Sequence, residues 1–212
     1  MTRVKICSIT TERDRDAAVE AGADALGFIV DVPVETPREL AADRAAALID
    51  GVPPFVTTVL VTMPADAATA RALLERTGAD AIQLHNDLSP AAIGTLSPAT
   101  VIARVPPDVD EARRYAAVAD ALVVDSVDES GAGGTGTAVD RASAAAVREA
   151  VAVPVVLAGG LDPESVPAAI DAVEPFAVDV SSGVEATEGR KDHEAVAAFV
   201  AAAKRRSPRV SP

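Results

Sequence analysis

The sequence predicts a single (β/α)8 barrel. Short β-branched runs recur along the chain, each is followed by a stretch whose apolar spacing is helical, and polar residues fall near the C-terminal ends of several runs. With 212 residues the chain is long enough for one substantial core. Residues 1–206 are expected to form the barrel domain, with 207–212 a disordered tail.

In chain order, the first strand is expected at VKICSI (4–9), with the helix TERDRDAAVEA after it and Gly22 as its C-cap. ALGFIV (25–30) and FVTTVLV (55–61) follow, then ADAATARALLERT, closed by Gly78. AIQLH (81–85), TVIARV (100–105) and ALVVDS (121–126) are the next strands, with DEARRYAAVAD between the last two. PVVLAG (154–159), PESVPAAIDAV, FAVDVS (176–181) and a final helix, DHEAVAAFVAAAKR, complete eight strands. AGADALGF, TGADAIQL and AVADALVV each carry Ala-Asp-Ala at a helix-to-strand junction, a weak internal repeat. An open doubly wound sheet uses the same βαβ units, so periodicity alone does not establish closure.

Side-chain parity supplies the missing test, because alternate residues of a barrel strand face the interior. Lys5 and Cys7, Gln83 and His85, Val123 and Asp125, and Asp179 and Ser181 are expected to point inward. Val4, Ile6, Ser8, Ile82, Leu84, Leu122, Val124, Val178 and Val180 are expected to face the helices. A lysine inside a packed barrel needs a partner. If the sheet closes, strand 8 lies beside strand 1, and Lys5 is expected to pair with Asp179. The polar inward set gathers at the strand ends where barrel enzymes place their active sites.

Each residue also has a structural reading: a lone cysteine is commonly a small buried hydrophobe, Gln83 and His85 can be satisfied core groups, and Asp125 can cap its loop. Their convergence from four strands favours chemistry. Two glycine-bearing exits, LAGGLDPESV and VDVSSGVEATEG, suit a phosphate cup built from Gly159, Gly160, Ser181, Ser182 and Gly183, with a short extra helix beginning at the serines. ESGAGGTGTAVD (129–140) reads as a lid whose Gly134 adds a backbone donor; it lacks the lysine of a nucleotide P-loop. His193 reads as a surface or capping group.

A net charge of −13 and no basic patch before KRRSPRVSP exclude nucleic acid as the expected partner. No apolar run approaches the roughly 18 residues of a membrane span, and no secretory core opens the chain, so no membrane partner and a cytoplasmic location are expected. Three lysines against 32 acidic residues point to a salt-rich cytoplasm, where molar salt shortens the Debye length to about 3 Å. A monomer or a homodimer is expected, since apolar positions on the outer helices suit either.

KICSIT, GFI followed by PR, QLH, VVDS followed by GGTG, LAGGL, and VDVSSGVE with KDH after it resemble the phosphoribosylanthranilate isomerases of tryptophan biosynthesis, from Lys5 to His193. The resemblance implies a cofactor-free, metal-free Amadori rearrangement of N-(5-phosphoribosyl)anthranilate, a phosphorylated sugar-anthranilate. It implies Cys7 as general base, Asp125 as general acid, Arg38 as receiver of the anthranilate carboxylate, and Lys5, Gln83, His85 and Asp179 as substrate-side groups. Asp125 must then hold a proton near neutral pH. Two positions depart from the family pattern: Ser8 stands where glycine is usual, and Asn86-Asp87 follow QLH. Rival phosphate-binding barrels, such as indole-glycerol-phosphate synthase or ribulose-phosphate epimerase, call for an interior lysine acid or for metal-binding histidines, and suit two histidines poorly.

Overall fold

A computed structural model describes residues 1–86, 88–125 and 139–205. The barrel strands are β1 (Arg3–Ile6), β2 (Ala25–Ile29), β3 (Thr57–Thr62), β4 (Ala81–Leu84), β5 (Thr100–Val105), β6 (Ala121–Val124), β7 (Val155–Leu157) and β8 (Ala177–Val180). They pair in parallel and in sequence order, and β8 pairs with β1 to close the ring. The helices are α1 (Glu12–Glu20), α2 (Ala42–Asp50), α3 (Ala67–Thr77), α4 (Pro90–Gly94), α5 (Val109–Ala116), α6 (Arg141–Ala150), α7 (Val166–Val173) and α8 (His193–Lys204). A 3-10 turn (Ser182–Val184) and a small hairpin, β9 (Glu185–Thr187) and β10 (Arg190–Lys191), lie between β8 and α8. That hairpin leaves no periodic signal in the sequence, because strands of two and three residues are too short to show one.

Local chemistry starts and stops the helices as the sequence suggests. Thr11, Asp66, Ser89, Asp108, Asp140 and Asp192 each accept an N-terminal amide hydrogen bond. Gly78 closes α3 in the left-handed conformation at φ +69°, whereas α1 is capped at Ala21 and the expected cap, Gly22, follows it at φ +90°. The Ala-Asp-Ala repeat has a mechanical meaning. Asp24 accepts from the Val4 amide, Asp80 from the Thr58 amide and Asp120 from the Val101 amide, each at 2.8 Å. Each aspartate, placed just before an even strand, thereby clasps the start of the odd strand beside it.

Parity separates two layers of core. Val4, Ile6, Leu26, Phe28, Ile82, Leu84, Leu122, Val124, Val178 and Val180 pack outward beneath the helices. Cys7, Val59, Val61 and Ala81 gather in one interior cluster, and Val123, Val156, Ala158 and Ala177 in another. At the closing seam Lys5 stands in register with Asp179, and the ammonium lies 2.7 Å from the carboxylate with both side chains nearly inaccessible. Gly27 on β2 makes the room: a Cβ there would fall 2.8 Å from the Cys7 sulfur and 3.1 Å from Lys5 Nζ.

Strand 1 ends earlier than expected. Ser8 was expected to continue the strand and face the helices, but β1 stops at Ile6 and Ser8 turns to φ +63°. Its hydroxyl lies 2.7 Å from that of Ser181. The turn rotates the side chain off the strand's alternation, so parity ceases to apply there.

Removing one partner of the seam leaves a buried charge. Asp179→Ala is expected to cost about 3–5 kcal/mol of unfolding free energy, and the Lys5→Met/Asp179→Leu double variant distinctly less. Urea denaturation in molar potassium chloride checks both.

Candidate active site

The site lies where β1, β4, β6 and β8 release their chains. The Cys7 amide donates to Val180 O at 2.8 Å, the His85 amide to Thr62 O at 3.0 Å and the Asp125 amide to Val105 O at 3.3 Å, so all three side chains leave backbone still tied to the barrel. Cys7, Gln83, His85, Asp125 and Asp179 line one cavity of about 220 Å³, together with Arg38 and the glycine and serine exits. Cys7 and Asp125 are both buried, at 7% and 5% exposure, and come from well-separated strands of the ring. Lys5 does not line this cavity, because its ammonium is turned to Asp179 and Cys7.

Electrostatics around the thiol are cationic. Burial alone would lower the Lys5 ammonium, but Asp179 and the nearby Cys7 raise it above its usual range. Arg38 and Lys191 also interact electrostatically with Cys7. Arg38 reaches the cavity wall with its guanidinium held by Glu185 at 2.8 Å and by Glu188 at 3.1 Å. Glu185 in turn accepts from the fully buried Lys191 at 3.0 Å, and Lys191 donates to Ser181 O at 3.0 Å. Burial pushes Lys191 down, while its partners Arg38 and Lys191 outweigh burial at Glu185 and pull that carboxyl down.

His85 is neutral. Burial, with smaller contributions from the Arg104 and Lys5 charges, lowers it to about 3 from an ordinary 6.5. Its Nε2 lies 3.8 Å from Asp125 Oδ2, so this contact joins an uncharged imidazole to the carboxyl and is not an ion pair.

The two glycine-bearing exits, expected as a phosphate cup, border the same cavity. Gly159 and Gly160 take φ +86° and +61°, conformations in which glycine carries no steric penalty. Neither amide has an acceptor among the described residues. A Cβ on Gly183 would sit 1.9 Å from Leu161 O, so glycine lets the two exits touch backbone to backbone. Ser181, Ser182 and Gly183 border the same cavity, with the short helix present as a single 3-10 turn from Ser182. Gly134, the GGTG loop, Asp87 and the tail 207–212 lie outside the described residues. Asn86 donates to Pro64 O at 2.6 Å. His193 opens α8 and meets Asp14 of α1 at 2.9 Å, while Asp192 is the cap.

Sequence reasoning passed over Arg104, Glu185, Glu188 and Lys191. Arg104 was reachable, since parity along TVIARV turns it inward with Ile102. Lys191 carried a signal in its scarcity, as one of three lysines. The two glutamates belong to the unforeseen hairpin.

Fold and site together define a (β/α)8-barrel enzyme with a thiol and a carboxyl group at the C-terminal mouth. The family model described as N-(5'phosphoribosyl)anthranilate (PRA) isomerase matches residues 4–202. The chain is 56% identical over 209 residues to an N-(5'-phosphoribosyl)anthranilate isomerase of Halobacterium salinarum, covering 96% of each chain. It is 52% identical to that of Haloarcula marismortui, covering 96% of this chain and 97% of the relative. Among solved structures, the phosphoribosyl anthranilate isomerase of Thermotoga maritima matches with a TM-score of 0.84 at 34% identity, over 96% and 99% of the two chains. Another, in complex with reduced 1-(o-carboxyphenylamino)-1-deoxyribulose 5-phosphate, matches with a TM-score of 0.82 at 33% identity over the same shares. The chain belongs to the phosphoribosylanthranilate isomerase family, and its activity is that isomerisation, a step of tryptophan biosynthesis. Its halophilic relatives agree with the lysine-poor, acidic composition.

The neutral state of His85 has a measurable signature. A folded pKa depressed below the unfolded one stabilises the protein fully above about pH 6.5, and this contribution is lost as pH falls toward about 3. With two histidines in the chain, NMR can follow the rings separately. The His85 ring is expected to show no titration between pH 8 and 5, whereas a midpoint near 6.5 would contradict its burial beside Asp125 and the Arg104 and Lys5 charges.

Proposed function

We propose that Cys7 and Asp125 perform the isomerisation as general base and general acid, in a cofactor-free Amadori rearrangement of N-(5-phosphoribosyl)anthranilate to 1-(2-carboxyphenylamino)-1-deoxyribulose 5-phosphate. The observation that carries this reading is the single cavity that holds the thiol, the carboxyl group and the glycine-serine cup together.

The Asp125 carboxyl gives its proton to the ribose ring oxygen, the C1–O bond breaks, and nitrogen supplies the electron pair for a protonated Schiff base. Cys7, acting as thiolate, then removes the C2 proton, and the electrons flow toward the iminium to give an enolamine. One proton gained at C1 and one lost from the C2 hydroxyl produce the ketone and restore the pair. Lys5, tied to Asp179, supplies a cation beside the base. The imidazole facing Asp125 is neutral, so it adds no positive charge next to the acid. Gln83, whose Oε1 has no hydrogen-bond partner among the described residues although the residue is buried, is poised to accept from a substrate hydroxyl.

The cup's amides at Gly159, Gly160, Ser182 and Gly183 receive the phosphate, with Gly134 as a further donor, and Arg38 receives the anthranilate carboxylate. For that, Arg38 must share or exchange its contact with Glu188, the exposed one of its two carboxylate partners. The partner is the small phosphorylated substrate, and among the described residues no helix is long and apolar enough to span a bilayer. The buried free thiol fits a reducing cytoplasm. A relative is described as dimeric, which supports the homodimer over the monomer; sedimentation in molar salt reads the assembly.

Loss of substrate fluorescence, followed on freshly made phosphoribosylanthranilate in molar potassium chloride, tests the roles. Cys7→Ala and Asp125→Asn are each expected to lower kcat by about 100-fold or more, the scale of a general acid or base. Near-normal turnover by either variant would remove that residue from the mechanism.

A further inference from the structure

We propose that the Ser8–Ser181 hydroxyl pair is a further ligand-binding element of this site, donating a hydrogen bond to an anionic oxygen at the phosphate end. The inference rests on the reading of the glycine-serine cup as the phosphate site, and adds to it a side chain from the opposite edge of the seam, on the strand that carries the thiol.

Three observations carry it. Ser8 holds φ +63°, a conformation that disfavours any residue with a Cβ, and it is 1% exposed. A side chain is thus buried where the backbone would be easier without one. Its hydroxyl meets Ser181 Oγ at 2.7 Å, joining positions 173 residues apart in sequence. Both serines border the cavity beside Ser182 and Gly183.

Proton accounting then gives the pair a direction. Each hydroxyl has one hydrogen to donate and two acceptor lone pairs. The 2.7 Å contact uses one of the two hydrogens, whichever oxygen donates. Among the described residues neither hydroxyl has another hydrogen-bond partner, so one O–H hydrogen is left over on the cavity wall. The Ser181 carbonyl is already held by Lys191, which fixes the backbone that carries the second hydroxyl. An anionic oxygen resting on the neighbouring amides is the acceptor this leftover hydrogen suits, because hydrogen bonds to charged groups are the stronger kind. Ser8 also follows Cys7 directly, so the pair fixes the phosphate end of a ligand relative to the base.

Two variants separate a binding role from space filling. Ser8→Ala keeps the Cβ and its left-handed backbone but loses the hydroxyl; Ser8→Gly loses the hydroxyl and relieves the backbone. Inorganic phosphate is the probe, through its inhibition constant and its direct binding followed by 31P NMR, in molar potassium chloride. Both variants are expected to weaken phosphate binding and raise KM by about tenfold, the size of one hydrogen bond to a charged group, with kcat within about twofold. Ser8→Gly is expected to melt no lower than the wild type, which keeps the test valid if Ser8→Ala folds poorly. Unchanged phosphate binding in a folded variant overturns the inference. So does a fall in kcat with KM and phosphate binding unchanged, since the serine would then act only through Cys7. Variants that bind phosphate as well as the wild type sink this inference alone; a wild type that binds none sinks the phosphate cup beneath it.

Discussion

At the seam where β8 meets β1, Lys5 and Asp179 bury opposite charges 2.7 Å apart, and the rest of the site is arranged around that pair. Neither charge is tolerable alone inside a barrel. The pair therefore ties closure of the sheet to the chemistry at its mouth: the ring must close for Lys5 to find its partner, and the paired ammonium then stands against Cys7. Gly27 on the neighbouring strand completes the arrangement by leaving out the Cβ that would collide with both Lys5 and the sulfur. Fold and function share one constraint here, the volume and charge balance of a narrow barrel interior.

Lys5 and Lys191 are buried in or beside the site, and Lys204 of α8 reaches Asp24 and the Gly22 carbonyl. Every lysine in the chain thus has a structural partner, and of the three only Lys204 is part-exposed at the surface. In molar salt, where exposed charges are screened within about 3 Å, the pairs that keep their strength are the buried ones. Arg38, Glu185 and Lys191 form a second such group, and they connect the segment after β2 to the hairpin after β8. Gly189 in the hairpin turn lies so close to Pro37 O that a Cβ would approach to 2.7 Å, which shows how tightly the two segments meet.

How much of this was legible in the sequence follows from which forces act locally. The inward set Lys5, Cys7, Gln83, His85, Asp125 and Asp179 follows from period-two alternation, which holds wherever the backbone stays extended, while closure was legible only through the partner that a buried Lys5 demands. The same rule failed at Ser8, one residue beyond Cys7, because the chain had already left the strand. The Ala-Asp-Ala echo was visible as a pattern, but its use as a clasp between neighbouring strands depends on contacts some 20 residues apart. Arg38 was found by resemblance, yet its two carboxylate partners lie about 150 positions away in a hairpin too short to leave a periodic trace. The state of His85 likewise depends on burial and on charges brought by β1 and β5, which no local pattern encodes.

A crystal structure with reduced 1-(o-carboxyphenylamino)-1-deoxyribulose 5-phosphate bound tests the central claim most directly. The account predicts the phosphate on the amides of Gly159, Gly160, Ser182 and Gly183, the sugar carbons between the Cys7 sulfur and the Asp125 carboxyl, and the aryl carboxylate toward Arg38. A ligand bound with its C2 carbon turned away from Cys7, or with its phosphate elsewhere in the barrel mouth, would contradict it.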